Sequence, residues 1–174
     1  KKDRKRRGKE RKVVAYHEVG HARAMACQKN TQPVQKITIV PRTMGSLGYT
    51  MQMPEEERYL MTKDEMLDDI TALLAGRGAE EIIFKNVTTG ASNDIERATE
   101  LARAMVTRFG MSETFDMALE KENNMYLNGR TSRTCSDETG AKADAEVLDI
   151  IRKCHKKALD ILNENIADLN KIAA

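Results

Sequence analysis

The sequence predicts a mostly α-helical domain with one small β-hairpin. Its 174 residues include no tryptophan and only 4% aromatic residues, whereas alanine, leucine, isoleucine, glutamate and lysine are common. This composition favours helices. Apolar residues recur at helical spacing through most of the chain, and the alternation typical of strands is confined to one short region. A chain of this length can bury one ordinary core.

The N-terminal part contains a predicted helix followed by the hairpin. The helix is expected over residues 7–29, and Pro33 prevents it from continuing. Segments 35–40 and 48–53 alternate as strands do, and a proline follows each of them. The glycine and serine between the two segments suit a hairpin turn.

The rest of the chain is predicted to be helical with one irregular interruption. A capping box from Thr62 to Glu65 opens a helix that should run to about residue 84. Asn93 is expected to cap a further helix, which Gly110 is placed to end. An irregular polar stretch and two final helices are expected over residues 120–134, 137–163 and 165–173.

The net charge of +2 conceals a strongly basic N-terminal run. Residues 1–12 hold nine basic and two acidic side chains, so the remaining residues have a net charge of −5. We interpret this run as a solvated linker or helix lead-in ahead of a domain that spans residues 13–174. An anionic-lipid or nucleic-acid surface is the alternative. Nucleic acid is not expected, because no aromatic residues stand among the charges to stack on bases.

Neither a membrane span nor a signal peptide is expected. No apolar run approaches the ~18 residues that a span requires. The three cysteines, Cys27, Cys135 and Cys154, are too far apart in sequence for a CxxC pair. An odd, sparse set of this kind predicts free thiols in a reducing compartment.

The first predicted helix carries the motif HExxH, as His17-Glu18-Val19-Gly20-His21. Positions i and i+4 lie on one face of a helix, so both imidazoles can reach a single ion, and zinc accepts imidazole nitrogen. Glu18 is placed to hold a water molecule beside that ion and to take its proton during attack on a carbonyl. An accidental match is the alternative, but two of the only three histidines have this spacing.

Spacing alone does not identify the third metal ligand. An alanine and Cys27 stand where the extended motif HExxHxxGxxH needs glycine and histidine. Cys27 could itself be a soft ligand but is expected to be a buried free thiol, and His155 is expected to be a surface residue. The remaining candidates are Asp94, Glu80 and Glu81. Asp94 would equally suit a helix dipole, and either glutamate could orient a ligand imidazole or lie at a solvated helix end.

Several longer segments resemble the peptidase domain of the FtsH family, the membrane-anchored, ATP-dependent zinc proteases. They are VVAYHEVGHA (13–22), KITIVPR (36–42), LGYT (47–50), LLAGRGAEEIIF (73–84), TTGASNDIERATELARAMVTRFGMS (88–112), SDET (136–139) and EVLDIIRKCHKKALDIL (146–162). The resemblance covers nearly everything after residue 10. The combination of TTGASND, HExxH and GRxAEE is very specific.

The resemblance implies the roles of individual residues. One zinc ion per chain would be held by His17, His21 and Asp94, with Glu18 as catalytic base. Glu80 would support a ligand histidine. An exposed edge strand would pair with the backbone of the substrate, although an ordinary sheet strand is the alternative. The residues of that strand are Ile37, Thr38, Ile39 and Val40.

The resemblance also implies partners outside this segment. Family members are homohexamers in which an ATPase ring feeds unfolded polypeptide to the peptidase ring. The chain contains no GxxxxGK[ST] phosphate loop and no span, so ATP would bind only in an upstream module. The membrane anchor would also lie upstream, with residues 1–12 as the connection. The segment itself is expected to be soluble, at the cytoplasmic face of the inner membrane in a bacterial protein.

The leading prediction is therefore a zinc endopeptidase that acts on unfolded proteins. A catalytically silent helical scaffold for ring assembly is the alternative, and the intact HExxH motif argues against it. A third hypothesis is a nucleic-acid binder that acts through residues 1–12, but the sequence lacks recognition elements for it. Two features depart from the family pattern, namely the segment VPRTMGSLGYT after the strand and Gly140 near the start of a late helix. Neither touches the metal chemistry.

Overall fold

The computed structural model describes residues 2–38, 49–52, 60–122 and 131–173. Five α-helices and two pairs of short strands occur within these ranges. The first elements are α1 (Lys2–Cys27), β1 (Val34–Thr38), β2 (Tyr49–Gln52) and α2 (Lys63–Phe84). The later elements are α3 (Ser92–Thr107), β3 (Glu120–Glu122), β4 (Thr131–Arg133), α4 (Asp137–Glu164) and α5 (Ile166–Ala173).

The predicted fold class is confirmed, with two differences in detail. Helix α1 begins at Lys2 instead of residue 7, so the basic run forms the first turns of the helix that carries HExxH. Lysine and arginine are good helix formers, which accounts for the extension. Residues 120–134, predicted to be irregular, contain the antiparallel pair β3–β4. Three-residue strands are too short to show a period in the sequence.

The predicted hairpin strands pair antiparallel, with Ile37 opposite Thr50. Among the described residues this sheet contains only β1 and β2, so one edge of β1 has no strand beside it. The predicted turn and most of the segment VPRTMGSLGYT lie outside the described residues, as do Ile39 and Val40. The edge that the resemblance assigns to substrate is therefore described only as far as Thr38.

The capping box of α2 forms as predicted. The Thr62 hydroxyl accepts a hydrogen bond from the Glu65 amide at 3.2 Å, and the Glu65 carboxylate accepts one from the Thr62 amide at 2.6 Å. The predicted cap of α3 is wrong, because Asn93 lies inside the helix, which begins at Ser92 without a side-chain cap. A 3-10 turn at Thr89–Ala91 leads directly into α3, so the chain is already helical before Asn93.

Helix α2 lies between two groups of buried side chains and brings the other helices together. One group lies between α2, α3 and α4, and the other packs α1 and α5 against α2 and α4. Their largest members include Met66, Ile70, Leu74, Met105, Val106 and Val147 in the first group and Tyr16, Val19, Leu162 and Leu169 in the second. The face of α1 that carries the two motif histidines is consequently held against the middle of α2.

A glycine brings α1 and α2 unusually close beside the HExxH motif. A Cβ atom on Gly20 would lie 2.8 Å from both the Ala75 carbonyl oxygen and the Ala79 Cβ. Both neighbours are held by the backbone of α2, so they could not give way. Only glycine therefore allows this approach, which sets the depth at which the motif histidines enter the α1–α2 interface.

All three cysteines are free thiols, as predicted, but Cys27 is exposed and its predicted burial is wrong. Cys27 is the last residue of α1 and borders a surface cavity, so none of the elements in the described residues packs over it. Cys154 is buried, and this burial raises the pKa of its thiol. None of the helices in the described part of the chain has the length and apolar character that a bilayer crossing requires.

Candidate metal centre

Helix α1 buries three polar side chains in one turn. His17, Glu18 and His21 expose only 8%, 7% and 7% of their surface. The imidazoles of His17 and His21 stand one turn apart, with ring centroids separated by 4.6 Å and planes inclined at 82°. Their Nε2 atoms are 2.9 Å apart, so both rings direct the same nitrogen to one point.

Asp94 completes a cluster of three donors. It lies in the first turn of α3, and its Oδ2 atom is 3.2 Å from Nε2 of His17 and 3.3 Å from Nε2 of His21. One potential ligand atom from each residue lies within 4.8 Å of the other two. Of the candidates that spacing left open, the structure therefore places Asp94 beside the motif histidines.

The outer nitrogens of both imidazoles bind acceptors. Nδ1 of His17 lies 2.8 Å from Oε1 of Glu80, and Nδ1 of His21 lies 2.7 Å from the carbonyl oxygen of Ala72. A carbonyl oxygen can only accept, so Nδ1 of His21 carries the proton, and the Glu80 carboxylate favours the same tautomer at His17. In neutral imidazoles the Nε2 atoms then bear lone pairs that face each other and the Asp94 carboxylate.

This donor set fits a zinc ion. Two imidazole nitrogens and one carboxylate oxygen are a ligand set of catalytic zinc sites, which keep a fourth position open. Tetrahedral ligands at ~2.0–2.1 Å from zinc stand about 3.3–3.4 Å apart. The three donor separations of 2.9, 3.2 and 3.3 Å are close to that value. Converging lone pairs also form an arrangement that a cation stabilises.

Burial and hydrogen bonding act in opposite directions on the pKa values of two of these groups. Burial alone would lower the pKa of His17, but the carboxylates of Asp94 and Glu80 outweigh it and leave that pKa raised. Burial alone would raise the pKa of Asp94, but without a metal the imidazoles of His17 and His21, which donate from Nε2 when they are protonated, outweigh it and hold the pKa well below its usual range. Asp94 is therefore ionised at neutral pH, the form that binds cations.

Glu80 links a motif histidine to the loop that precedes Asp94. It is 1% exposed, and while Oε1 faces His17, Oε2 accepts a hydrogen bond of 2.7 Å from the backbone amide of Thr88. Glu81 faces a different direction, and its Oε2 lies 3.1 Å from Nε2 of His155. Of the two glutamates between which spacing could not choose, Glu80 is thus the one beside a motif imidazole.

The other sequence candidates lie apart from the cluster. Within the described ranges, only His17, His21 and Asp94 form a group of three or more histidine, cysteine or acidic residues that could hold one metal ion. Neither Cys27 nor His155 belongs to it. Sequence reasoning missed the backbone partners, the Ala72 carbonyl and the Thr88 amide, because every residue carries such groups and no sequence signal distinguishes them.

Comparisons with known proteins identify the family of this chain. The profile described as Peptidase family M41 matches residues 4–174. Proteins named "ATP-dependent zinc metalloprotease FtsH" are 61% identical over 173 residues in Clostridium perfringens and 54% identical over 165 residues in Lancefieldella parvula. "ATP-dependent zinc metalloprotease FtsH 4" of Synechocystis is 48% identical over 178 residues.

The matches cover 99%, 94% and 99% of this chain, respectively, but only 24%, 26% and 28% of those relatives. The chain therefore spans about a quarter of the length of the curated relatives that it matches. The resemblance to the FtsH family indicated by the motifs is confirmed. Because the family profile matches nearly the whole chain and the relatives are all of one kind, the chain belongs to peptidase family M41.

Proposed function

We propose that this chain is a zinc-dependent endopeptidase domain. The observation that carries the proposal is the convergence of Nε2 of His17, Nε2 of His21 and Oδ2 of Asp94 within 2.9–3.3 Å of one another. These three residues would hold one zinc ion per chain. Bound there, zinc supplies a Lewis acid that polarises a peptide carbonyl and lowers the pKa of water.

The catalytic base in this proposal is Glu18. It is buried on α1, next to His17 and one turn from the remaining motif histidine. A carboxylate at this position takes a proton from the attacking water and delivers it to the departing amide nitrogen. Because Glu18 is not one of the three donors, its proton transfer does not compete with metal binding.

The supporting residues hold the donor atoms in the orientation in which they can share one ion. Glu80 and the Ala72 carbonyl bind the outer nitrogens of His17 and His21, which holds both rings in the tautomer that directs a lone pair inward. The bond from the Thr88 amide to Glu80 connects the same carboxylate to the loop that leads to Asp94. All three donors thus depend on contacts with α2.

The substrate class that we propose is unfolded polypeptide. Within the described residues, β1 has one edge without a strand partner, and an extended chain can add to such an edge through its backbone. Binding through the backbone needs an extended substrate and imposes little side-chain preference. The binding residues in this proposal are Ile37, Thr38, Ile39 and Val40.

The proposal extends to the longer protein that the relatives indicate. Their names include dependence on ATP, and this chain matches about a quarter of their length. We therefore propose an upstream ATPase module that binds ATP, connected through residues 1–12, and an upstream membrane anchor. The assembly would be a homohexamer for ATP-dependent proteolysis and protein quality control. In a bacterial cell, the peptidase would face the cytoplasm at the inner membrane.

The test compares Glu18→Gln with the wild type and with Glu10→Gln. Glu10 is exposed on the same helix, so its substitution controls for the loss of a charge from α1. Zinc content, oligomeric state and hydrolysis of a permanently unfolded, fluorescently labelled polypeptide are measured for each protein. Glu18→Gln should retain zinc and lose hydrolysis by about 10²–10⁴-fold, the usual contribution of a general base. Glu10→Gln should match the wild type.

Other outcomes would contradict the proposal in different ways. Parallel loss of zinc and hydrolysis in Glu18→Gln would assign this residue a structural role. A wild-type protein that assembles and binds zinc but cuts nothing would instead favour the silent scaffold.

A further inference from the structure

Gly76 of α2 lies directly against the two motif imidazoles. A Cβ atom at this position would lie 2.7 Å from both Cε1 and Nε2 of His17, and closer still to Nε2 of His21. Real Cβ atoms do not approach other heavy atoms to less than 3.0 Å. Two of these three atoms are the Nε2 nitrogens that face Asp94, the inner nitrogens of the imidazoles, so any side chain at residue 76 would enter the donor cluster itself.

The backbone of α2 does not explain a glycine at this position. Among the described glycines, only Gly110 has a positive φ, so Gly76 adopts a conformation open to any residue. Glycine is also among the poorest helix formers, and alanine would favour the 22-residue helix α2. The available space, rather than backbone conformation, is what requires glycine here.

Two other glycines show what distinguishes Gly76. The Cβ of Gly20 would meet the Ala75 carbonyl oxygen, which belongs to the backbone. The Cβ of Gly78 would approach the side-chain ends of Leu162 and Leu159 at 3.2 and 3.3 Å, and flexible leucines can move by that much. Of these three glycines, only Gly76 has imidazole ring atoms in the way, so a side chain there would displace His17 and His21.

We propose that Gly76 is a positioning residue of the metal centre, whose missing side chain provides the space in which the two imidazoles converge. The inference rests on the zinc site proposed above. A methyl group at residue 76 forces the rings of His17 and His21 away from their common point. Since Oδ2 of Asp94 is only 3.2–3.3 Å from both inner nitrogens, that movement also separates the third donor from them.

The test compares Gly76→Ala with Gly78→Ala, the same substitution two residues away on α2. Zinc affinity is measured by competition with a chromophoric chelator, and thermal unfolding is recorded in excess chelator and in excess zinc. Gly76→Ala should bind zinc on the order of 100-fold more weakly, the upper end of what a lost supporting contact costs. It should also lose most of the zinc-induced rise in Tm that the wild type and Gly78→Ala show.

A second measurement separates the imidazole clash from a general packing defect. The effect of Gly76→Ala on Tm in chelator is compared between the wild-type background and a His17→Ala, His21→Ala background. If the methyl group collides with the rings, Gly76→Ala should not lower Tm in the background where both histidines are alanine. If Gly76→Ala by itself prevents folding, the two histidine substitutions should restore it. A cost that persists without the rings would overturn the proposal.

The zinc titration has three further decisive outcomes. Wild-type zinc affinity in Gly76→Ala, or equal weakening in Gly78→Ala, would refute the role of Gly76 and leave the proposed peptidase intact. Failure of the wild-type protein to bind zinc would refute both.

Discussion

Glu80 and Glu81 are neighbours on α2 and each pairs with a histidine, but the two pairs lie in different surroundings. Oε1 of Glu80 is 2.8 Å from His17, and these side chains are 2% and 10% exposed. Oε2 of Glu81 is 3.1 Å from His155, and those side chains are 45% and 27% exposed. Residue types and contact distances are similar, whereas solvent access differs several-fold.

The surroundings of each pair, rather than its two residue types, therefore set its chemistry. Water screens the Glu81–His155 pair, and exposed pairs of this kind contribute ~0–1 kcal/mol to stability. Glu80 also binds the Thr88 amide, and the far nitrogen of His17 faces Asp94. A buried polar group left without its partner costs about 1–3 kcal/mol. The buried pair is therefore part of a connected network, whereas the side chains of the exposed pair make no further hydrogen bond with the residues that the structure describes.

The largest expected effect comes from removing the donor on which the buried network converges. Asp94→Ala should abolish hydrolysis and weaken zinc binding by more than the roughly 10–100-fold that loss of an outer partner costs. Zinc content after dialysis and competition titration measure the effect. Asp137→Ala is the matched control, because Asp137 also lies in the first turn of a helix. Equal zinc binding by both variants would show that Asp94 is not a ligand and only complements the dipole of α3.

Glu80→Gln tests the comparison directly. The carboxylate accepts from two donors, whereas glutamine has one oxygen and one amino group, so either His17 or Thr88 would face an N–H donor. We expect zinc binding to weaken roughly 10–100-fold and the unfolding free energy in chelator to fall by about 1–3 kcal/mol. Glu81→Gln, measured in the same titration and denaturant unfolding, should change neither quantity appreciably. Similar losses in both variants would erase the distinction between the pairs.

His155→Ala should have a small effect, confined to stability. Removing the partner of Glu81 breaks a partly exposed contact, so the unfolding free energy should change by less than about 1 kcal/mol. Zinc affinity and hydrolysis should stay at wild-type values. Denaturant unfolding and zinc titration check both statements, and any loss of zinc would show that the exposed pair is coupled to the metal centre.

Cys27→Ala should have the smallest effect of all. Cys27 is exposed at the end of α1 and is not part of the donor cluster. Zinc content and peptide hydrolysis should equal those of the wild type. A Cys27→Ala protein that lost zinc while Asp94→Ala retained it would reverse the proposed ligand assignment.

Most of the fold and the centre of the candidate site could be predicted from local sequence patterns. Helical periodicity and the Thr62–Glu65 capping box are local signals, and both correspond to elements of the structure. The spacing of His17 and His21 is also local, because one helical turn places positions i and i+4 on a common face. The short β3–β4 pair was not predicted, because a strand of three residues is too short to show the alternation typical of strands.

The third donor and the partners of the two imidazoles could not be predicted from local patterns, because they depend on how the helices pack. Spacing left Asp94, Glu80 and Glu81 as alternatives, and the packing of α1 and α3 against α2 places the first two beside His17 and turns the third toward His155. The same packing brings the Ala72 carbonyl to His21. Such contacts join residues 51 to 77 positions apart. They depend on how whole helices dock, and helix docking is set by the shape of the buried surfaces rather than by any single motif.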